Sequence, residues 1–434
     1  MEKEYDFEGG AVRIKSDRVL RLVPDIRDSA KILEVLEAKG LHGPHVVETK
    51  ISNDTENLLE HKFITPIIHS GEYTSSMAYD VTEKCIDMAI ELLDENVYSF
   101  DLLPHNYTYH NGEWLLYDFG ALELHSKNFK TEIRNIFKIS FSAFELLKII
   151  PRKSLKHYFL NRIKTGDLFA MIPLHRFIIM QVQNLICRLL YIFKGYKLSL
   201  RALKHFYNLY KENYKREFYF AGEIPCAIYE RISEISAAEN ETLLCIGEES
   251  ARWAISHRSE SPKVLYIDDY ELCDRIYNTI YQNKMRELSA AVISPLVDEE
   301  EIPENYQYRG IYDCFAKERF VSDSVIMLNF DLEHNLDSLD INKFITNLSD
   351  FSRKKLLLSV KNECHFIDEI RAGLCAIFKN VQCESVESQI IFVAKDKIIA
   401  HKDVKGSDKY RNNNRIADAQ AHSAKILEIL RTKS

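Results

Sequence analysis

The stretch Ser99 to Leu122, SFDLLPHNYTYHNGEWLLYDFGAL, holds three oxygen-bearing side chains in a chemically suggestive order. Asp101 comes first, Asn106 lies five positions on, and Asp118 opens an Asp-Phe-Gly. A carboxylate near a hydroxyl can accept its proton, while an amide and a second carboxylate can hold magnesium against phosphate oxygens. These are the residue types that phosphoryl transfer from ATP needs. Each feature alone has a plain structural reading, with Asp101 capping a turn and Asp118-Phe119-Gly120 ending a hairpin.

These residues need elements to carry them. Between Asn106 and Asp118, YTYH-NG-EWLLY predicts a hairpin, with Asn111-Gly112 supplying the positive φ of a two-residue turn. Upstream, AVRIKSDRVLRLV predicts two strands around a Lys15-Ser16-Asp17 turn. RDSAKILEVLEAKG predicts a helix ended by Gly40. Further strands are expected over 45–51 and 59–68, and a helix over 75–95. From Lys127 to Phe220 the pattern reads as helical, aromatic and basic.

The Asp-x-x-Pro-x-Asn wording, the hairpin and the Asp-Phe-Gly resemble the aminoglycoside-phosphotransferase branch of the kinase-like superfamily. That resemblance implies an α+β bilobal domain with Asp101 as catalytic base and Asn106 and Asp118 as magnesium ligands. It also implies that Arg21, on the third strand, pairs with ATP phosphates. Glu34, or less readily Asp28, would orient Arg21 from the helix, and Gly9-Gly10 stands where a phosphate loop belongs. Ser99 replaces the histidine usual two residues before the base, so a folded but inactive version of this module is a second reading.

Beyond Gly222 the pattern changes to alternating strands and helices, expected at 242–246, 263–267, 290–293, 324–328, 355–360 and 389–394. This argues for an α/β, Rossmann-like doubly wound sheet. From about Glu241 to Ala400 the order resembles class I S-adenosylmethionine-dependent methyltransferases, with 378–393 as an antiparallel hairpin edge. The whole architecture resembles bacterial nodulation and surface-polysaccharide proteins that join a kinase-like front half to a methyltransferase back half. By that resemblance Gly247 lies against the cofactor, and Asp268 or Asp269 binds its ribose. Helix N-terminal acids are the plainer reading of the two aspartates. The glycine-rich motif is worn down: Cys245 takes its acidic place, and Glu248-Glu249-Ser250 fill the turn. Two carboxylates facing a cofactor that carries its own carboxylate predict impaired binding. His334 is the local general-base candidate, or a solvated loop histidine.

The bulk properties set limits. Hydrophobic content of 46% and charged content of 28% are those of a globular chain able to bury two or three cores. The 9 scattered cysteines form no CxxC pair, which fits a reducing cytoplasm. The stretch around 176–195 carries too many polar groups for a bilayer span. Net charge is −8, yet Lys127 to Arg216 alone carries +15. That block either balances acidic neighbours or meets an anion: a membrane face, a phosphorylated glycan or, less readily, nucleic acid. The expected organisation is a small lobe over 1–69, a helical lobe over 70–221, the Rossmann-like domain over 222–400, and a polar tail with a last helix over 401–434. Three functions follow: a magnesium- and ATP-dependent phosphotransferase acting on a small-molecule or surface-glycan hydroxyl; an S-adenosylmethionine-dependent methyltransferase whose front half binds the acceptor; or a scaffold of two degenerate enzymes. The expected location is the cytoplasm, or the inner membrane face from its cytoplasmic side.

Overall fold

The computed structural model describes most of residues 4–124 and 182–398. Residues 100–105, 125–181, 292–320, 330–340 and 399–434, with shorter breaks, lie outside the described residues. Asp101, Asp268, His334, most of the basic block and the expected last helix fall there.

The front unit begins with β1 (Glu4–Phe7), β2 (Val12–Lys15) and β3 (Arg18–Leu22), then α1 (Ile26–Ala38), β4 (Thr49–Ile51) and β5 (Leu58–Lys62). They form an antiparallel sheet of order β1-β2-β3-β5-β4. Helix α1 buries Ile32, Leu33 and Leu36, a spacing that places all three on one helical face. Two expected strands are shorter than read. The first is confined to Thr49–Ile51; the second covers Leu58–Lys62 and has left strand by Ile64, with 65–68 outside the described residues.

Helix α2 (Ser75–Leu93) is capped by Thr74, whose hydroxyl accepts from the Met77 amide. Strand β6 (Val97–Ser99) follows, then the hairpin β7 (Tyr107–His110) and β8 (Glu113–Leu116), then β9 (Leu122–Leu124) paired back on β6. Asn111 and Gly112 take φ of 50° and 81°, the turn their sequence requires. The hairpin is tied to the segment before β4: Val47 donates to the Leu116 carbonyl and Leu116 to that of His45.

Helix α3 (Tyr196–Lys211) lies along α2, and its basic residues are answered there. Lys197, Lys204 and Lys211 pair with Asp94, Asp87 and Glu83. These seven-residue steps return to the same helical face, so part of the basic block balances acidic neighbours. The helical expectation fails past Lys211, because residues 214–220 run extended as a strap.

The back unit contains α4 (Cys226–Ser236), β10 (Leu243–Ile246), α5 (Glu248–Ser256), β11 (Lys263–Tyr266), α6 (Tyr270–Gln282) and β12 (Leu288–Ala291). It continues with β13 (Ser322–Met327), α7 (Ile341–Asp350), β14 (Ser352–Lys361), α8 (Ile367–Ile377), β15 (Phe378–Val386) and β16 (Gln389–Lys397). Its seven strands run β12-β11-β10-β13-β14-β16-β15. The first five are parallel, while β16 is antiparallel to both neighbours. Strand β10 is buried at all four residues, as a central parallel strand covered on both faces must be.

A polar seam joins the units. Asp274 on α6 accepts from the Ser76 amide and hydroxyl on α2 at 2.8 and 2.9 Å and from Tyr214 of the strap at 2.9 Å. Asp80 on α2 is 4% exposed and accepts from Tyr277 on α6 and from Arg216 of the strap, at 2.9 and 3.0 Å. Trp114 on β8 donates to the Tyr277 hydroxyl at 2.9 Å. Burial pushes the Asp80 carboxyl up, and its bonds to Arg216 oppose that rise. A carboxylate held this far from water depends on those partners.

Candidate functional site

Two places combine special backbone geometry with charged side chains. The first sits where β3 meets the turn after β8. Arg21 donates from a guanidinium nitrogen to Asp118 Oδ1 at 2.9 Å, and the Gly120 amide donates to the same oxygen at 2.9 Å. The guanidinium lies directly on Gly120, so that a Cβ there would stand 2.3 Å from Arg21 Nη1. Phe119–Ala121 forms one 3-10 turn with Asp118 as its cap. Asn106, buried, accepts from the Tyr117 amide through its backbone carbonyl. The fold thus brings Arg21, Asp118 and Gly120 together and starts β7 from Asn106. Glu34 is exposed on α1, and Asp28 is exposed beside Lys31; the carboxylate that Arg21 holds is Asp118.

His61, which sequence reasoning missed, belongs to this place. It sits on β5 opposite Val19, on the face that Arg21 shares two residues along β3. The residue is 3% exposed, and among the described residues its Nε2 has no hydrogen-bond partner. Burial depresses its pKa to about 4, and the nearby Arg21 charge adds to the effect. An unfolded histidine protonates below about 6.5. His61 therefore contributes stability that is present above pH 6.5 and lost as pH falls toward 4. We expect His61→Phe to flatten the acid limb of the stability profile by about 2–3 kcal/mol, read from urea melts between pH 4 and 7. An unchanged limb would place His61 in water.

The second place is the carboxyl end of β10, at the centre of the parallel sheet where strand order reverses. Gly247 caps α5 with φ 84° and ψ 170°, a region open essentially to glycine alone. Among the described residues no heavy atom lies within 4 Å of where its Cβ would be. The Ser250 hydroxyl accepts from the Leu328 amide, fixing the first turn of α5 to the end of β13.

The two carboxylates expected to repel an anion share one cation. Arg252 donates to Glu248 and Glu249 at 3.4 and 3.0 Å. Tyr219 of the strap donates to Glu248 at 3.2 Å and accepts from Arg252 at 3.0 Å. Tyr229 on α4 donates to Glu249 at 2.7 Å. The signal for Arg252 was available in its i+3 and i+4 spacing from the two glutamates. Cys245, in the motif's acidic position, is fully buried, and burial pushes its thiol up to about 12. Asp269 caps α6, accepting from the Leu272 amide at 2.6 Å, as the plainer reading of that aspartate has it.

No protein-family model and no curated protein matches the chain. Among solved structures it resembles EvdMO1 at 12% identity and TM-score 0.29, over 44% of this chain and 47% of that one. It resembles an S-adenosylmethionine-dependent methyltransferase from Aquifex aeolicus at 14% identity and TM-score 0.27, over 40% and 90%. The Cydia pomonella granulovirus kinase PK-1 aligns at 11% identity and TM-score 0.26, over 34% and 68%. The chain spans about half the length of EvdMO1. Strand order and direction, rather than these distant alignments, establish that the back unit has a methyltransferase-like, Rossmann-type fold.

Proposed function

We propose that the chain is an S-adenosylmethionine-dependent methyltransferase whose kinase-like front unit holds the acceptor. The observation that carries this reading is Gly247, held in a glycine-only conformation, with no described atom within 4 Å of its Cβ position, at the reversal point of a methyltransferase-like sheet. A ligand there can approach the backbone closely, which a side chain would prevent. Arg252 offsets one of the two charges on Glu248 and Glu249, which lessens their repulsion of an anionic group. Gly247 would lie against the cofactor, with Asp268 or the second oxygen of Asp269 at its ribose. The cofactor supplies an electrophilic sulfonium methyl group. A hydroxyl of a small molecule or surface glycan is the acceptor class that the architecture's resemblance suggests.

Equilibrium dialysis against tritiated S-adenosylmethionine tests the reading. We expect one saturable site and at least a tenfold loss of affinity in Gly247→Ala. No retention at millimolar cofactor would remove it.

A second reading, phosphoryl transfer in the front unit, is favoured by the Arg21, Asp118 and Gly120 cluster. Support comes also from the helix α1 between β3 and β4 and from the β7–β8 hairpin between Asn106 and Asp118, the arrangement of a kinase-like module. Asn106 and Asp118 would hold magnesium and Asp101 would serve as base. The cluster ranks second because a metal at Asp118 must share its carboxylate with a guanidinium already bonded to it.

A further inference from the structure

Helix α2 carries a single lysine, Lys84, among the acids Asp80, Glu83, Asp87 and Glu91. Three of those acids are answered from other elements: Asp80 by Arg216 of the strap, and Glu83 and Asp87 by Lys211 and Lys204 of α3. Lys84 takes a different partner. Its Nζ lies 2.9 Å from Nδ1 of His45, in the turn before β4, and among the described residues it forms no ion pair with a carboxylate.

His45 meets α2 from a fixed base. Its amide donates to the Leu41 carbonyl at 3.0 Å, and its carbonyl accepts from Leu116 on β8 at 2.9 Å. Both side chains of the pair are half-buried. Burial lowers the pKa of the Lys84 amine, while the charges of Glu113, Glu91 and Asp87 oppose that fall. Burial lowers His45 as well, and the Lys84 charge adds to the effect against Glu113 and Glu91. A neutral imidazole offers its bare nitrogen as a proton acceptor, here toward the amine.

We propose that Lys84 is a nucleophilic amine, acylated by small acyl thioesters with His45 as its proton acceptor. A lysine amine half withdrawn from water and beside a base is an activated nucleophile. Its lone pair attacks the thioester carbonyl; the carbon–nitrogen bond forms, the carbon–sulfur bond breaks, and the thiolate leaves. One proton passes from the nitrogen to His45 Nδ1 and then, through water, to the thiolate. The product is a neutral amide, which relieves the cost of keeping an ammonium half-buried. An anionic product would instead meet the charges of Glu113, Glu91 and Asp87, so acyl transfer suits this place and carboxylation does not. The site is independent of the crevice at Gly247 and of the Arg21–Asp118 cluster.

The test incubates the full chain with acetyl-coenzyme A and follows each lysine by mass spectrometry of its peptides. We expect Lys84 to be acetylated at least tenfold faster than Lys31 and Lys50, although their side chains are 63% and 67% exposed. His45→Gln should slow Lys84 tenfold or more and leave Lys31 and Lys50 unchanged. In concentrated urea the unaltered chain should lose the difference among the three lysines. Equal rates in the folded chain would overturn the proposal, as would a preference for Lys84 that survives in urea. So would a folded His45→Gln protein in which Lys84 keeps its rate. The folded and unfolded rates of the unaltered chain decide the matter should the variant fold poorly.

Discussion

Replacing Arg216 by Met is expected to destabilise the protein by about 3–5 kcal/mol, because Asp80 then stays buried without its cationic partner. The strap delivers Arg216 to a carboxylate 4% exposed on α2, and Tyr277 from α6 supplies the remaining described bond. Burial already pushes the Asp80 carboxyl up in the intact protein, and removing Arg216 takes away the strongest opposing influence. The sign of the pH dependence follows. A carboxyl whose folded pKa lies above its unfolded value favours the folded state below the unfolded pKa. That advantage disappears as pH rises through the folded one. The Arg216→Met penalty should therefore be largest at neutral pH and shrink on acidification, measured by urea melts. Adding Asp80→Asn should recover about 1–3 kcal/mol, since the pair is directly coupled. A flat penalty with pH would mean that Asp80 reaches water.

Gly247→Ala should cost about 1–3 kcal/mol in stability although no described atom lies within 4 Å of the new methyl. The cost is conformational: at φ 84° and ψ 170° a Cβ is disfavoured by its own backbone. The first turn of α5 would relax, shifting Glu248, Glu249 and Arg252 together. Cofactor affinity should fall at least tenfold for that reason. A Gly247→Ala protein of normal stability and normal binding would show that the turn is neither strained nor part of the site.

Much of the architecture was legible from hydrophobic pattern. Six back-unit strands fall within three residues of their expected bounds, because sheet strands covered on their faces are apolar runs bounded by turns. The Asn111-Gly112 hairpin was equally plain, since its turn chemistry is local. Strands β1, β6 and β9 were missed. At three or four residues each, they exist through pairing with distant partners that no local window reveals. The strap 214–220 was read as helix for the converse reason: its Tyr214, Arg216 and Tyr219 have helical propensity enough, and tertiary bonds to α2, α5 and α6 override it.

The candidate sites were half legible. Arg21 and Asp118 were singled out separately, and the structure pairs them across 97 residues. Glu34 was chosen by helical position, yet its face of α1 is exposed. His61 carried no sequence signal, because a histidine in a short strand is featureless until its neighbours are known. At α5 the hydrogen bonds that Tyr219 and Tyr229 give to the glutamates span 29 and 20 residues, so no local window shows them.

The most direct test of the central claim is a thermal-shift titration of the full chain with S-adenosylmethionine, run beside Mg-ATP. A site filled at a hundred times its Kd stabilises the folded state by about 2.7 kcal/mol, which is readily seen. The account predicts an upward shift with S-adenosylmethionine that falls to about half or less in Gly247→Ala. A shift with Mg-ATP alone, lost in Asp118→Asn, would contradict it and move the chemistry to the front unit.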